Sequence, residues 1–112
     1  MITVIETWHI KKEFEDRVHE LMQEMDNKVG PPAHKHPAFL GHATFLQYET
    51  DPTKVLVMYP WRSQAEAEEL IASEVDLIAD FEAEYCAAPR EVDYFTEVPH
   101  AHDMEDEAHH GG

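Results

Sequence analysis

The sequence predicts an α+β domain in which helices cover one face of a four-stranded antiparallel sheet, and three observations carry that prediction. Short blocks of β-branched and aromatic residues read as strands. Two longer stretches repeat apolar residues at three- and four-residue steps, the signature of half-buried helices. The two kinds of segment follow one another as strand, helix, strand, strand, helix, strand, and 112 residues are enough for one core of this type.

Residues 2–9, I-T-V-I-E-T-W-H, hold no Gly or Pro and form the first strand. From Lys12 the pattern changes, with Phe14, Val18, Leu21, Met22, Met25 and Val29 on one stripe of a helix. Gly30-Pro31-Pro32 is expected to end it, because glycine suits a C-terminal cap and proline cannot continue the hydrogen-bond ladder. The three prolines between residues 30 and 38 suggest a semi-rigid lip over any pocket nearby.

Residues 39–49 resume extended character, turn at Asp51-Pro52 and return as a strand over residues 54–61. In the first arm His42, Thr44, Leu46 and Tyr48 share a face; in the second Val55, Val57, Tyr59 and Trp61 alternate with Leu56 and Met58. Apolar side chains on both faces of the returning arm require both sides of the sheet to be covered. Ser63-Gln64-Ala65-Glu66 has capping-box spacing and starts the second helix. Ser73 repeats the cue, predicting a helix in two pieces that ends before Pro89. Val92, Tyr94 and Thr96 alternate with Asp93, Phe95 and Glu97 as the last strand. Residues 1–98 are thus one domain, and residues 99–112, acidic and His-bearing, are expected to be a disordered tail.

This element order is the split βαβ, or ferredoxin-like, arrangement. Its second sheet face is apolar and needs a partner, for which a second copy is the simplest source, so a homodimer is expected.

Eight basic against twenty-four acidic residues give a net charge of −16, which repels nucleic acid and anionic membrane surfaces. The single cysteine, Cys86, cannot close an intramolecular disulfide and reads as a small hydrophobe. No window approaches the roughly 18 apolar residues of a membrane span, and no amino-terminal leader pattern is visible, so a cytoplasmic location is expected.

The strand running into Y-P-W-R-S-Q-A-E-A-E-E-L, with the Trp61-Arg62-Ser63 junction and Ala65 and Ala67 behind it, resembles the antibiotic biosynthesis monooxygenase superfamily over about residues 2–98. The resemblance implies a dimeric α/β barrel with a pocket between sheet and helices in each subunit. It also implies oxidation of aromatic substrates by dioxygen without a bound cofactor. The haem-degrading branch of that superfamily uses an Asn, a Trp and a His at positions that match Thr7, Leu70 and Asp80, and all three are absent. The polyketide-oxidising branch has a Trp that Trp61 matches, together with an Asn and an Arg; Val57 precedes Trp61 by four residues, and Arg62 and Arg90 stand at element ends, where exposure is expected.

By the same resemblance the pocket side of strand one carries Thr3, Ile5, Thr7 and His9. His9 and His42 are the candidate catalytic bases, since imidazole titrates near neutral pH and can take a phenolic proton, giving an electron-rich anion that reacts with dioxygen. Thr7, Tyr59 and Trp61 are the candidate substrate contacts, Tyr59 as a donor to a carbonyl and Trp61 as a stacking wall. Each also has an ordinary role open to it, as a strand-end histidine, a strand tyrosine or a core tryptophan. His34-Lys35-His36, His100-Ala101-His102 and His109-His110 invite a metal reading, but two-residue steps do not define ligand geometry, and no metal is assigned. The functional expectation is a cofactor-independent monooxygenase-like enzyme acting on a small aromatic or quinone-like compound. The alternatives are a non-catalytic dimeric module for a small ligand or metal, and haem binding without degradation.

Overall fold

In a computed structural model, which describes residues 1–99, the order is β1 (Ile2–Ile10), a 3-10 turn (Lys12–Arg17), α1 (Val18–Lys35), β2 (Thr44–Gln47), β3 (Lys54–Trp61), α2 (Gln64–Tyr85) and β4 (Cys86–Phe95). The strands pair antiparallel in the order β2-β3-β1-β4, and both helices pack on one face, so the chain has the ferredoxin-like fold. Of the expected tail, residues 100–112 lie outside the described residues.

The faces separate cleanly. Val4, Glu6, Trp8 and Ile10 of β1 are buried under the helices, as are Val55, Val57 and Trp61 of β3. Trp8, Leu21, Met25, Ile78 and Phe81 belong to one apolar cluster, and Val4, Ala38, Trp61, Ala67 and Leu70 to another. Tyr59 packs against both. The opposite face carries Thr3, Ile5, Thr7 and His9 of β1, Leu56 and Met58 of β3, and, by register, Leu46 and Phe95. Leu46 and Phe95 are about half exposed in the single chain.

Several element boundaries differ from the expectation, among them the start of the first helix, where residues 12–17 form a 3-10 turn before α1. Helix α1 does not stop at Gly30 but runs through Pro31 and Pro32 to Lys35. A proline there removes only the bonds to the carbonyls of Asn27 and Lys28, both exposed residues whose carbonyls water can reach, and Gly30 has no Cβ to meet the Pro31 ring. The lip over the pocket is therefore partly helix, with the irregular stretch shortened to residues 36–43.

Helix α2 is continuous over 22 residues, since the Ser73 hydroxyl donates back to the Leu70 carbonyl at 2.6 Å instead of capping a new helix. At its start Ser63 does cap, its Oγ accepting from the Glu66 amide at 3.3 Å, a contact type that contributes about 1 kcal/mol. Finally, β4 begins at Cys86 with Pro89 inside it. The strand lies at the sheet edge and its register against β1 shifts between Thr7 and His9, which is where a sheet tolerates a missing donor. At the other end of the sheet β2 is only four residues long, and Phe39 joins it through an isolated bridge to Trp61.

Candidate active site

Helix α1, the helix-side face of the sheet, α2 and the loop of residues 36–43 enclose an open cavity of about 150 Å³. Its walls are Phe39, Val57, Tyr59, Trp61 and Leu70, with Met25, Val29 and Ala33 from α1. Trp61 is 1% exposed and packs edge-on against Tyr59 and Phe39 at centroid distances of 5.9 and 6.3 Å. Its indole N–H finds no acceptor among the described residues. Phe39, His34 and His42 contact one another at centroid distances of 4.7 to 5.8 Å, and both histidines are exposed, so they stand at the mouth. Gly41 holds this rim against β3, for a Cβ there would meet Pro60 Cγ at 3.1 Å.

The polar floor of the cavity is a cluster that sequence reasoning did not find. Glu6 and Glu74, 4% and 3% exposed, both line it. Arg90 Nη1 donates to Glu74 Oε1 at 2.8 Å and to Glu6 Oε1 at 3.2 Å, while Nη2 donates to the Ile71 carbonyl at 3.3 Å. Glu6 also accepts from the Trp8 indole N–H at 3.0 Å and from the Tyr59 hydroxyl at 2.6 Å, so both its oxygens are occupied. Glu74 Oε2 accepts from no group among the described residues. One guanidinium thus serves two buried carboxylates. Burial first, and the neighbouring Glu6 charge, push the Glu74 pKa up to about 7 against the pull of Arg90. Burial works against the Arg90 charge, but Glu6 and Glu74 hold its pKa above the usual value. Burial and the Glu6 charge raise the Tyr59 pKa far above that of a free phenol.

The arrangement joins a flat, aromatic-walled space to a carboxyl that titrates near neutrality, the combination needed to take a proton from a bound phenol. It brings together Tyr59, Trp61 and, at the rim, His42. It does not include Thr7 or His9, which the alternation of β1 turns to the opposite face; there His9 Nε2 lies 2.7 Å from Glu91 Oε2 at the surface. Tyr59 is not available to a ligand carbonyl, as its hydroxyl is taken by Glu6. Arg90, expected at the surface, has a side chain only 5% exposed. Val57 and Leu70 line the cavity and Asp80 is exposed, so the positions matched to the two branches bring no amide or imidazole to it.

No family model matches the chain, and no curated protein matches it. Solved structures do. A monooxygenase from ActVA-Orf6 of Streptomyces coelicolor, solved in complex with nanaomycin D, superposes with a TM-score of 0.66 at 18% identity, covering 88% of each chain. A crystal structure of an antibiotic biosynthesis monooxygenase gives 0.65 at 24% identity, covering 88% of this chain and all of the other. The protein from Nitrosomonas europaea described as a putative antibiotic biosynthesis monooxygenase gives 0.64 at 16% identity with the same coverage. The chain shares the fold of these three structures. At these identities the likeness establishes that fold and no activity.

Other chemistries have less to work with among the described residues. Among the described residues no group of three or more His, Cys, Asp or Glu side chains is placed to hold a metal ion, and the later histidines of the sequence lie outside them. Cys86 is buried, and burial pushes its thiol up to about 11, so little thiolate forms at neutral pH. No helix among the described residues is long and apolar enough to cross a membrane.

Proposed function

We propose that the chain is a monooxygenase-like enzyme that oxidises a small phenolic or quinone-like aromatic with dioxygen and without a bound cofactor. The observation that carries the reading is the free oxygen of Glu74 at the floor of an aromatic-walled cavity. Space of about 150 Å³ is what a single benzene ring occupies, and the open mouth lets a larger substrate protrude.

In this reading the ring packs against Trp61 and its hydroxyl donates to Glu74 Oε2. Proton transfer to Glu74 gives the phenolate, from which one electron passes to dioxygen. The superoxide and the aryl radical then combine at a ring carbon that bears hydrogen. The resulting peroxide takes the proton back from Glu74, and loss of water leaves a carbonyl, so one oxygen atom enters the product and the other leaves as water. Arg90 and Tyr59 position the two carboxylates, and His42 at the rim is the second candidate base. His9 and Thr7 have no part in this chemistry, because the sheet separates them from the cavity.

Oxygen uptake with a panel of hydroquinones and naphthols tests the reading. Glu74→Gln is expected to lower the turnover of any accepted compound about a hundredfold, while His9→Ala leaves it unchanged. Undiminished turnover in the Glu74 variant removes Glu74 from the mechanism, and absence of uptake across the panel removes the monooxygenase reading itself.

The proposal includes a homodimer formed through the open sheet face. Ile5, Leu46, Leu56, Met58 and Phe95 make that face too apolar to be left in water. Sedimentation at micromolar concentration is expected to give a dimer, and Leu56→Glu combined with Met58→Glu to give a monomer. A wild-type monomer would refute this assembly.

A further inference from the structure

We infer that the cavity selects small aromatics that are neutral or cationic and carry a hydrogen-bond donor, such as an alcohol, a phenol or an amine, and that it rejects aromatic carboxylates. The inference deepens the proposed function and rests on the cavity being the substrate site.

The charge inventory of the lining carries it. Glu6, Asp26 and Glu74 line the cavity with His34 and His42 at its mouth, whereas among the described residues no lysine or arginine lines it. Arg90, the cation nearest the floor, is held behind it by Glu6, Glu74 and the Ile71 carbonyl. Two buried carboxylates therefore share one positive charge, and the cluster faces the cavity with an excess of negative charge. Glu6 has no free oxygen, so the acceptor offered to a ligand is Glu74 Oε2. A hydroxyl or ammonium group placed there makes a charge-assisted hydrogen bond. A ligand carboxylate placed there sets anion against anion at the buried floor, where charges are screened less than in bulk water. Tyr59 and Trp61 line the walls with aromatic surface that holds the ring, and the carboxylate at the floor sets the preference for a donor over an anion.

Four single-ring probes separate the possibilities: benzylamine, benzyl alcohol, toluene and benzoate, each titrated into the full chain at about pH 8.5, where Glu74 is charged and benzylamine is protonated. Chemical-shift or calorimetric titration is expected to show benzylamine and benzyl alcohol binding more tightly than toluene. Benzoate is expected to bind at least about tenfold more weakly than benzyl alcohol. In Glu74→Gln the advantage of benzylamine over benzoate is expected to shrink about tenfold or more. Benzoate binding as tightly as benzyl alcohol to the wild-type chain overturns the inference without recourse to any variant, as does the absence of binding by all four. An unchanged preference in a folded Glu74→Gln protein overturns it too. Because binding is read without turnover, a failed oxygen-uptake experiment would remove the monooxygenase reading and leave the charge selectivity standing.

Discussion

Arg90→Met is expected to destabilise the folded chain by about 3–5 kcal/mol, the range found when one partner is removed from a buried ion pair. The substitution keeps most of the side-chain volume but leaves Glu6 and Glu74 facing each other inside the protein. Arg90 also supplies the donor to the Ile71 carbonyl and lies 5.7 Å from the centre of the Trp8 ring, so packing is lost along with charge. Urea unfolding near pH 8 measures the loss. It should diminish toward pH 5, where Glu74, its pKa already pushed up to about 7 by burial, is protonated and no longer adds a second stranded charge. Adding Glu74→Gln to Arg90→Met should recover part of it by removing one of the two unpaired charges. A loss below about 1 kcal/mol at pH 8 would show that the guanidinium does not hold the cluster together.

The second large effect is the pH dependence contributed by Glu74. Its carboxyl has an ordinary pKa of 4.5 when the chain is unfolded and about 7 in the folded protein. Between those values the native state binds a proton that the unfolded state has released, so stability falls as pH rises, and above about pH 7 the loss is complete. The shift corresponds to about 3 kcal/mol. Glu74→Gln mimics the protonated form at every pH. The wild type and the variant should therefore be nearly equal in stability at pH 4.5 and diverge by about 3 kcal/mol at pH 8, with the variant the more stable. Subtracting the two unfolding curves removes the contributions of the many surface carboxylates that both proteins share. A difference that does not change with pH would place the Glu74 titration elsewhere. If the proposed function holds, the same substitution that stabilises the protein slows its reaction, as expected where a buried charge is kept for chemistry.

Much of the fold was legible because it depends on local pattern. The β-branched run of β1, the apolar stripe of α1 from Val18 to Met25 and the Ser63 cap each specify an element within a few residues of chain. The boundaries that moved are those where tertiary surroundings changed the cost of breaking a local rule. Pro31 and Pro32 stay in α1 because the carbonyls they leave unpaired belong to exposed residues, and Pro89 enters β4 because that strand is an edge with a register shift. Ser73 caps nothing because α2 continues past it.

The candidate site was legible only where one residue type announces a role. Trp61 and Tyr59 stand out as aromatics and His42 as an imidazole. Glu6, Glu74 and Arg90 do not. One acid among twenty-four in a strand, one in a helix rich in acids and one arginine beside a proline carry no local signal. Glu6 could have been suspected from its place on the apolar side of β1, between Val4 and Trp8. The resemblance turns the other face of β1, with Thr7 and His9, to the pocket, and alternation cannot correct it, since it tells which residues share a face but not which face the helices cover.

By itself, then, the sequence determined the element order, the ferredoxin-like topology and the apolar character of both sheet faces, since periodicity and turn chemistry act over a few residues. Only the tertiary structure decided which face of β1 is the floor of the cavity, that three charged residues separated by up to 84 positions meet there, and that one arginine is shared between two acids. The physical reason is that burial and charge pairing depend on distance in space, and a carboxylate acquires a neutral-range pKa only after other parts of the chain have excluded water from it.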